Sequence, residues 1–221
     1  MAKKSGKAAL IPFNQVDLIL KLLEDGKAES RVGCQLKYKT IFGIGIYTAL
    51  RIGEIISLRY NDVYTPRGVV EILRVKRLKK RGKNIYSEIN INSRLRKILL
   101  EYKKQYDDML KKEEVKESDL LGYTVRSKVE TNPYLFPSNN KNGFITYVQV
   151  DKKFDEVFKQ LNLSKCSTHS MRRTALTKLK NEGIPLSVII QISGHDTLEG
   201  LKAYLETDPQ EIESAMNRIK Y

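Results

Sequence analysis

The stretch CQLKYKTIFGIGIYTALRIGEIISL, residues 34–58, limits the fold more than any other part of this chain. It is too apolar to lie on a surface and reads as a buried helix, with a break around Arg51–Gly53. No run of about 18 apolar residues occurs anywhere in the sequence, so no segment reads as a membrane span. The remaining elements must therefore be arranged to cover this one.

The cover is legible on both sides. IPFNQVDLILKLLEDGK has helical spacing, with Asn14 as N-cap and Gly26 as stop. SRLRKILLEYKKQYDDMLKK is a charged amphipathic helix with Ser93 as N-cap. YVQVDKKFDEVFKQLNL is helical, and further helices are expected after Thr168, after Pro185 and near Asp196, where Asp196 and Glu199 fit a capping box. Asp208, Pro209 and Glu211 open a last helix, with Ile212, Ala215, Met216 and Ile219 along one face. GVVEILRV and NIYSEINI read as two strands joined by the tip KRLKKRGK. The stretch from Glu113 to Pro133 has no period and reads as a surface excursion. These elements predict an α+β class, mainly helical, with a small antiparallel sheet. The expected organisation is a flexible basic arm over 1–11, one domain over 12–207 and a C-terminal helix over 208–221.

Charge narrows the partner. The chain carries a formal net charge of +14, and seven of the ten residues from Arg74 to Lys83 are basic. Such an excess points to nucleic acid. Cys34 and Cys166 are the only cysteines, too few for a disulfide framework, and no Cys/His cluster has zinc spacing. A reducing, cytoplasmic setting is expected.

The chemistry is concentrated near the C-terminus. His169 and Arg172 are three residues apart and share a helix face. His195 follows Gly194, and Tyr204 lies nine residues further on. A guanidinium grips two oxygens of a phosphodiester, an imidazole moves or donates a proton, and a phenol can act as a covalent nucleophile. Taken singly, each residue has a structural explanation: Arg51 pairing with Glu54 or Asp62, His169 at a helix end, His195 in a turn, Tyr204 as one of twelve tyrosines. Together they form an ordered set that uses both histidines of the chain.

That set resembles the tyrosine recombinase (phage integrase) family. The family's downstream pattern H-x-x-R, G-H and a tyrosine nine residues later matches His169, Arg172, Gly194–His195 and Tyr204. Its upstream pattern T-G-L-R-x-x-E-x-x-x-L matches TALRIGEIISL, giving Arg51, Glu54 and Leu58, with Asp62 after them. The hairpin and the LFPS stretch also fall in place, so the resemblance runs from about Pro12 to near the end. Three departures stand out: Ala49 for the usual glycine, Arg173 for a common histidine, and Leu201 for a common threonine.

The resemblance implies a DNA strand-exchange enzyme with the family's catalytic-domain fold. Tyr204 would attack a phosphodiester to give a 3′-phosphotyrosyl link. Arg51 and Arg172 would hold the non-bridging oxygens, His169 would act as general base and His195 would donate to an oxygen. Glu54 would orient Arg51. A hairpin lysine would protonate the leaving 5′-oxygen. Counting from Arg51 favours Lys76 for that role, RLKK favours Lys79, and K-x-G-K favours Lys80; the count is preferred. Arg74, Arg77, Lys79, Lys80, Arg81 and Lys83 are expected to meet DNA phosphate. No metal or other cofactor is expected, because the phosphotyrosine conserves the bond. The partners implied are double-stranded DNA and further copies of the chain: a tetramer on DNA and a monomer without it. The short span before the catalytic domain resembles the fimbrial phase-switching invertases or a fragment of a longer protein. The rival readings are relaxation of the type IB topoisomerase kind and a non-catalytic DNA-binding protein.

Overall fold

The computed structural model describes residues 8–24, 35–78, 85–113, 133–138, 140–202 and 205. A 3-10 turn, Phe13–Gln15, leads into α1 (Val16–Glu24). Next come α2 (Gln35–Thr48), α3 (Ile52–Ile56) and α4 (Tyr60–Val63). Four short strands follow: β1 (Tyr64–Thr65), β2 (Gly68–Val69), β3 (Ile72–Lys76) and β4 (Tyr86–Asn90). The remaining helices are α5 (Ser93–Glu113), α6 (Tyr147–Gln160), α7 (Thr168–Asn181), α8 (Leu186–Ser193) and α9 (Leu198–Lys202). The result is mainly helical with small antiparallel pairings, as expected.

Helix α2 is the centre, as its composition requires. Ile41, Phe42 and Ile44 are fully buried, and the helix packs on α1, α5 and α7. Two glycines allow the close approach. A Cβ on Gly43 would stand 2.9 Å from Ile98 Cδ1 of α5, and one on Gly45 would stand 2.8 Å from Met171 Sδ of α7. Gly45 therefore sets how near α7 comes, and Arg172 is the residue after Met171. A smaller cluster joins Ala49, Ala175, Leu176, Ile189, Leu201 and Leu205 under α7, α8 and α9.

Local details depart from expectation for identifiable reasons. The break after α2 falls at Ala49–Arg51, slightly before the expected point, because Ala49 takes a left-handed conformation at φ 55. GVVEILRV is not one strand. Gly68 at φ 120 closes a tight reversal, so Tyr64 pairs with Val69 and Thr65 with Gly68; β3 then pairs separately with β4, from Ile72↔Asn90 to Lys76↔Tyr86. The N-cap of α5 is Asn92, whose Oδ1 accepts from the Leu95 N–H at 2.9 Å, with Ser93 already helical. Thr197, rather than Asp196, caps α9 through Gly200 N–H at 3.1 Å. Asn14 lies inside the 3-10 turn. The end of the expected arm is tied down: Ala9 N–H donates to Lys165 O at 3.0 Å and Ile11 N–H to Thr174 Oγ1 at 2.8 Å. Gly26, residues 79–84 of the hairpin, residues 114–132 and the helix expected over 208–221 lie outside the described residues. Among the described residues, no helix is long and apolar enough to cross a membrane.

Candidate active site

Three helix ends and one strand end converge on a buried cluster of charges. Arg51 follows the left-handed break and precedes α3. Glu54, buried in the first turn of α3, accepts the Arg51 main-chain N–H on Oε2 at 2.9 Å and meets Arg51 Nη1 with Oε1 at 3.4 Å.

Arg77 enters from the hairpin. Along β3 exposure alternates, with Leu73 and Val75 inward and Ile72, Arg74 and Lys76 outward. Arg77 continues the inward phase and is 2% exposed. Its Nη1 donates to Glu54 Oε2 at 3.1 Å, its Nε to Ser87 Oγ of β4 at 2.7 Å, and its Nη2 to Ile192 O at the end of α8 at 2.6 Å. The expectation that Arg77 meets DNA is thus corrected: strand phase turns it into the protein. Burial lowers its pKa while Glu54 opposes the shift, and the guanidinium stays charged.

Arg172 is 1% exposed on α7. Its Nη1 donates to the carbonyl of Ala49, and its Nη2 donates to Ser193 O at 2.7 Å. The same Nη2 lies 3.4 Å from His195 Nε2. His195 is presented by a left-handed cap, Gly194 at φ 64, whose N–H donates to Ile190 O. A helix end leaves carbonyls without partners. Here Ile192 O and Ser193 O are each taken by a guanidinium, which also suits the negative end of the helix dipole.

The geometry fixes the His195 tautomer. Ser193 Oγ donates to Ile190 O at 3.1 Å and lies 2.8 Å from His195 Nδ1, so Nδ1–H is the donor to Ser193. A guanidinium only donates, so Nε2 facing Arg172 is the acceptor. Burial, then the positive charges of Arg172, Arg51 and Arg77, push the His195 pKa down to about 4, with Asp196 opposing. The ring is neutral near pH 7.

Among the described residues, the guanidinium groups of Arg51, Arg77 and Arg172 outnumber the carboxylates of Glu54 and Asp196 here, which leaves positive charge in excess. Such a cluster suits a phosphodiester and the extra charge that develops when its phosphorus is attacked. His169 is exposed in the otherwise buried first turn of α7, one turn before Arg172. Lys76 is exposed on the outward face of β3, opposite Arg77. Arg74 is also exposed, 4.7 Å over the Tyr86 ring. Tyr204, Lys79, Lys80, Arg81 and Lys83 lie outside the described residues. Leu201 and Leu205, on either side of Tyr204, are buried with Ala49 and Ile189. Sequence reasoning missed the roles of Ser87, Arg77 and Ser193 here; the phase of β3 was the available signal for Arg77.

A family model described as the phage integrase family matches residues 10–211. No curated protein matches the chain. Among solved structures, the XerH site-specific recombinase in a post-cleavage complex with palindromic difH substrate aligns with a TM-score of 0.68 at 17% identity, over 97% of this chain and 54% of that one. The XerA recombinase gives a TM-score of 0.68 at 17% identity, over 98% of this chain and 67% of that one. The Tn1549 transposon integrase in complex with a circular intermediate DNA gives 0.61 at 17% identity, over the whole of this chain and 68% of that one. The likeness is one of fold, and the chain spans about half to two thirds of the length of these proteins.

Proposed function

The chain belongs to the phage integrase family, and from that premise we propose that it is a site-specific DNA recombinase that cuts and rejoins strands through a 3′-phosphotyrosyl intermediate. The observation that carries this reading is Arg172. It is buried, aimed by the carbonyls of Ala49 and Ser193, and set beside His195 in a cluster shared with Arg51. A fold alone would not require so much positive charge at one point.

In this reading Tyr204 Oη attacks phosphorus, an O–P bond forms and the bond from phosphorus to the 5′-oxygen breaks. Leu201 and Leu205 support the assignment, since their burial beside Ala49 anchors the chain on both sides of Tyr204 close to the Arg51 segment. His169 takes the tyrosine proton. Arg51 and Arg172 hold the non-bridging oxygens. His195 donates to one of them after gaining a proton on Nε2, which a bound phosphate anion promotes by offsetting the guanidinium charges. A hairpin lysine protonates the departing 5′-oxygen. Lys76, Lys79 and Lys80 are the candidates for that lysine. A 5′-hydroxyl from the partner strand reverses the step, so the energy of the broken bond is conserved.

The DNA contacts fall to exposed Arg74 and Lys76 of β3 and to the basic tip that follows them. The assembly we propose is a tetramer on DNA, with the segment over 208–221 exchanged between protomers.

The test is a covalent adduct. Duplex fragments from the DNA flanking the coding sequence, carrying paired inverted repeats, are incubated with the protein and run on denaturing gels. A retarded band is expected from the parent and none from Tyr204→Phe, which removes only the hydroxyl. Products of recombinant length separate strand exchange from simple relaxation. Binding without any adduct would leave a DNA-binding protein and no recombinase.

A further inference from the structure

We propose that Arg77 is a positioning residue for strand cleavage: its guanidinium joins the β3–β4 hairpin to Glu54, through Glu54 to Arg51, and joins both to the turn that presents His195. The proposal rests on the recombinase reading above.

Three observations carry it. Arg77 uses its fork on three separate elements, with acceptors at Glu54 on α3, Ser87 on β4 and Ile192 at the end of α8. Glu54 Oε2 accepts from both the Arg51 main chain and Arg77, so the carboxylate that orients Arg51 is itself oriented by Arg77. The third is steric. A Cβ on Gly194 would stand 2.9 Å from Arg77 Nε and 3.1 Å from its Cζ, so the guanidinium lies directly against the residue before His195.

Burial separates this role from DNA contact. Arg77, directly after β3, is 2% exposed, whereas Arg74 within β3 is exposed. A lysine could pair with Glu54 but could not also serve Ser87 and Ile192, because an ammonium is a point charge and not a planar fork. The device also links two proposed catalytic groups. The hairpin that carries the acid is fastened at Arg77 to the same carboxylate that fixes Arg51, so docking the hairpin and aligning Arg51 are one event.

An ordinary buried ion pair would contribute to folding alone. The two roles are separated by replacing the scissile phosphate with a methylphosphonate. That substrate lacks the negative charge that Arg51 offsets, so a misaligned Arg51 should matter less on it. Single-turnover cleavage is measured on both substrates, with DNA affinity by mobility shift and folding by circular dichroism. Arg77→Met is expected to bind DNA as the parent does. It should cleave the phosphodiester about 10- to 100-fold more slowly, and the methylphosphonate within about threefold of the parent. Arg77→Lys should show the same pattern with a smaller loss. If Arg77→Met does not fold, Arg77→Lys and Ser87→Ala carry the comparison by the same ratio of substrates. Equal losses on both substrates, or no loss, would overturn the proposal while leaving the recombinase reading intact. Absence of a covalent adduct from the parent on phosphodiester DNA would overturn both.

Discussion

Arg172 donates to the main-chain carbonyl of Ala49, and Ala49 holds that carbonyl in place by standing in the left-handed region at φ 55. The break between α2 and α3 is therefore part of the site. It directs one carbonyl to Arg172, and two residues later it delivers Arg51 to Glu54.

Ala49 occupies the position where the family commonly has glycine, and two opposing effects meet there. Left-handed backbone costs an alanine about 1 kcal/mol, while its buried methyl contributes about 0.8 kcal/mol. Ala49→Gly should therefore change stability by no more than about 1 kcal/mol. Ala49→Val adds a β-branched side chain at positive φ in a packed cluster and should cost about 2–4 kcal/mol. Urea denaturation of both variants checks this, and a tolerated valine would show that the break relaxes.

Arg172→Lys keeps the charge but loses the fork. A lysine cannot reach Ala49 O, Ser193 O and a phosphate together. Covalent adduct formation should fall at least about 100-fold. Near-parent adduct yields from this variant would show that Arg172 serves the fold alone.

His195 makes stability depend on pH. Its pKa falls from 6.5 in the unfolded chain to about 4 in the fold. Between those values the unfolded chain binds more protons, so stability is lost as pH falls from about 6.5 to about 4. His195→Gln should flatten that part of the profile, as read from thermal melts at a series of pH values. Binding of DNA should reverse the shift, because the phosphate offsets Arg172 and Arg51. Calorimetry at pH 6 in buffers of different ionisation enthalpy should detect proton uptake by the parent and none by His195→Gln. Equal uptake in both would assign the proton elsewhere.

The hairpin lysine is located by a substrate with sulfur at the 5′-bridging position, since sulfur leaves without a proton. Of Lys76→Ala, Lys79→Ala and Lys80→Ala, the variant that lacks the acid should lose cleavage of ordinary DNA and recover it on the sulfur substrate. The other two should show no such selective recovery. Recovery by none of the three would overturn the hairpin lysine as the acid.

What could be read in advance was local. H-x-x-R needs only one helix turn and Gly194–His195 only a helix end, so the positions of His169, Arg172 and His195 on their elements could be read from spacing, while their roles came from the resemblance. The apolar segment around Phe42 announced its own burial. What escaped was non-local. Arg77 finds Glu54 on another element 23 residues away and Ile192 115 residues away. Seven basic residues among ten, from Arg74 to Lys83, concealed the one that turns inward. The departure at Leu201 became intelligible only with the second cluster, where its side chain is fully buried.

The segment after Tyr204 is tested by deletion. The sequence proposes a helix start at Asp208, Pro209 and Glu211 and a shared face for Ile212, Met216 and Ile219. A helix of this length would not be stable alone in water and would have to dock. We expect the apolar face to bury against a neighbouring protomer on DNA and to fold back on its own domain without it. Ending the chain before Pro209 leaves Leu201 and Leu205 in their cluster, so the domain should fold and bind a single site with about parent affinity. Cooperative binding to paired sites and strand exchange should both fall, measured by mobility shift and by recombinant product. A truncated protein that recombines normally, or that fails to fold, would end the exchange assignment.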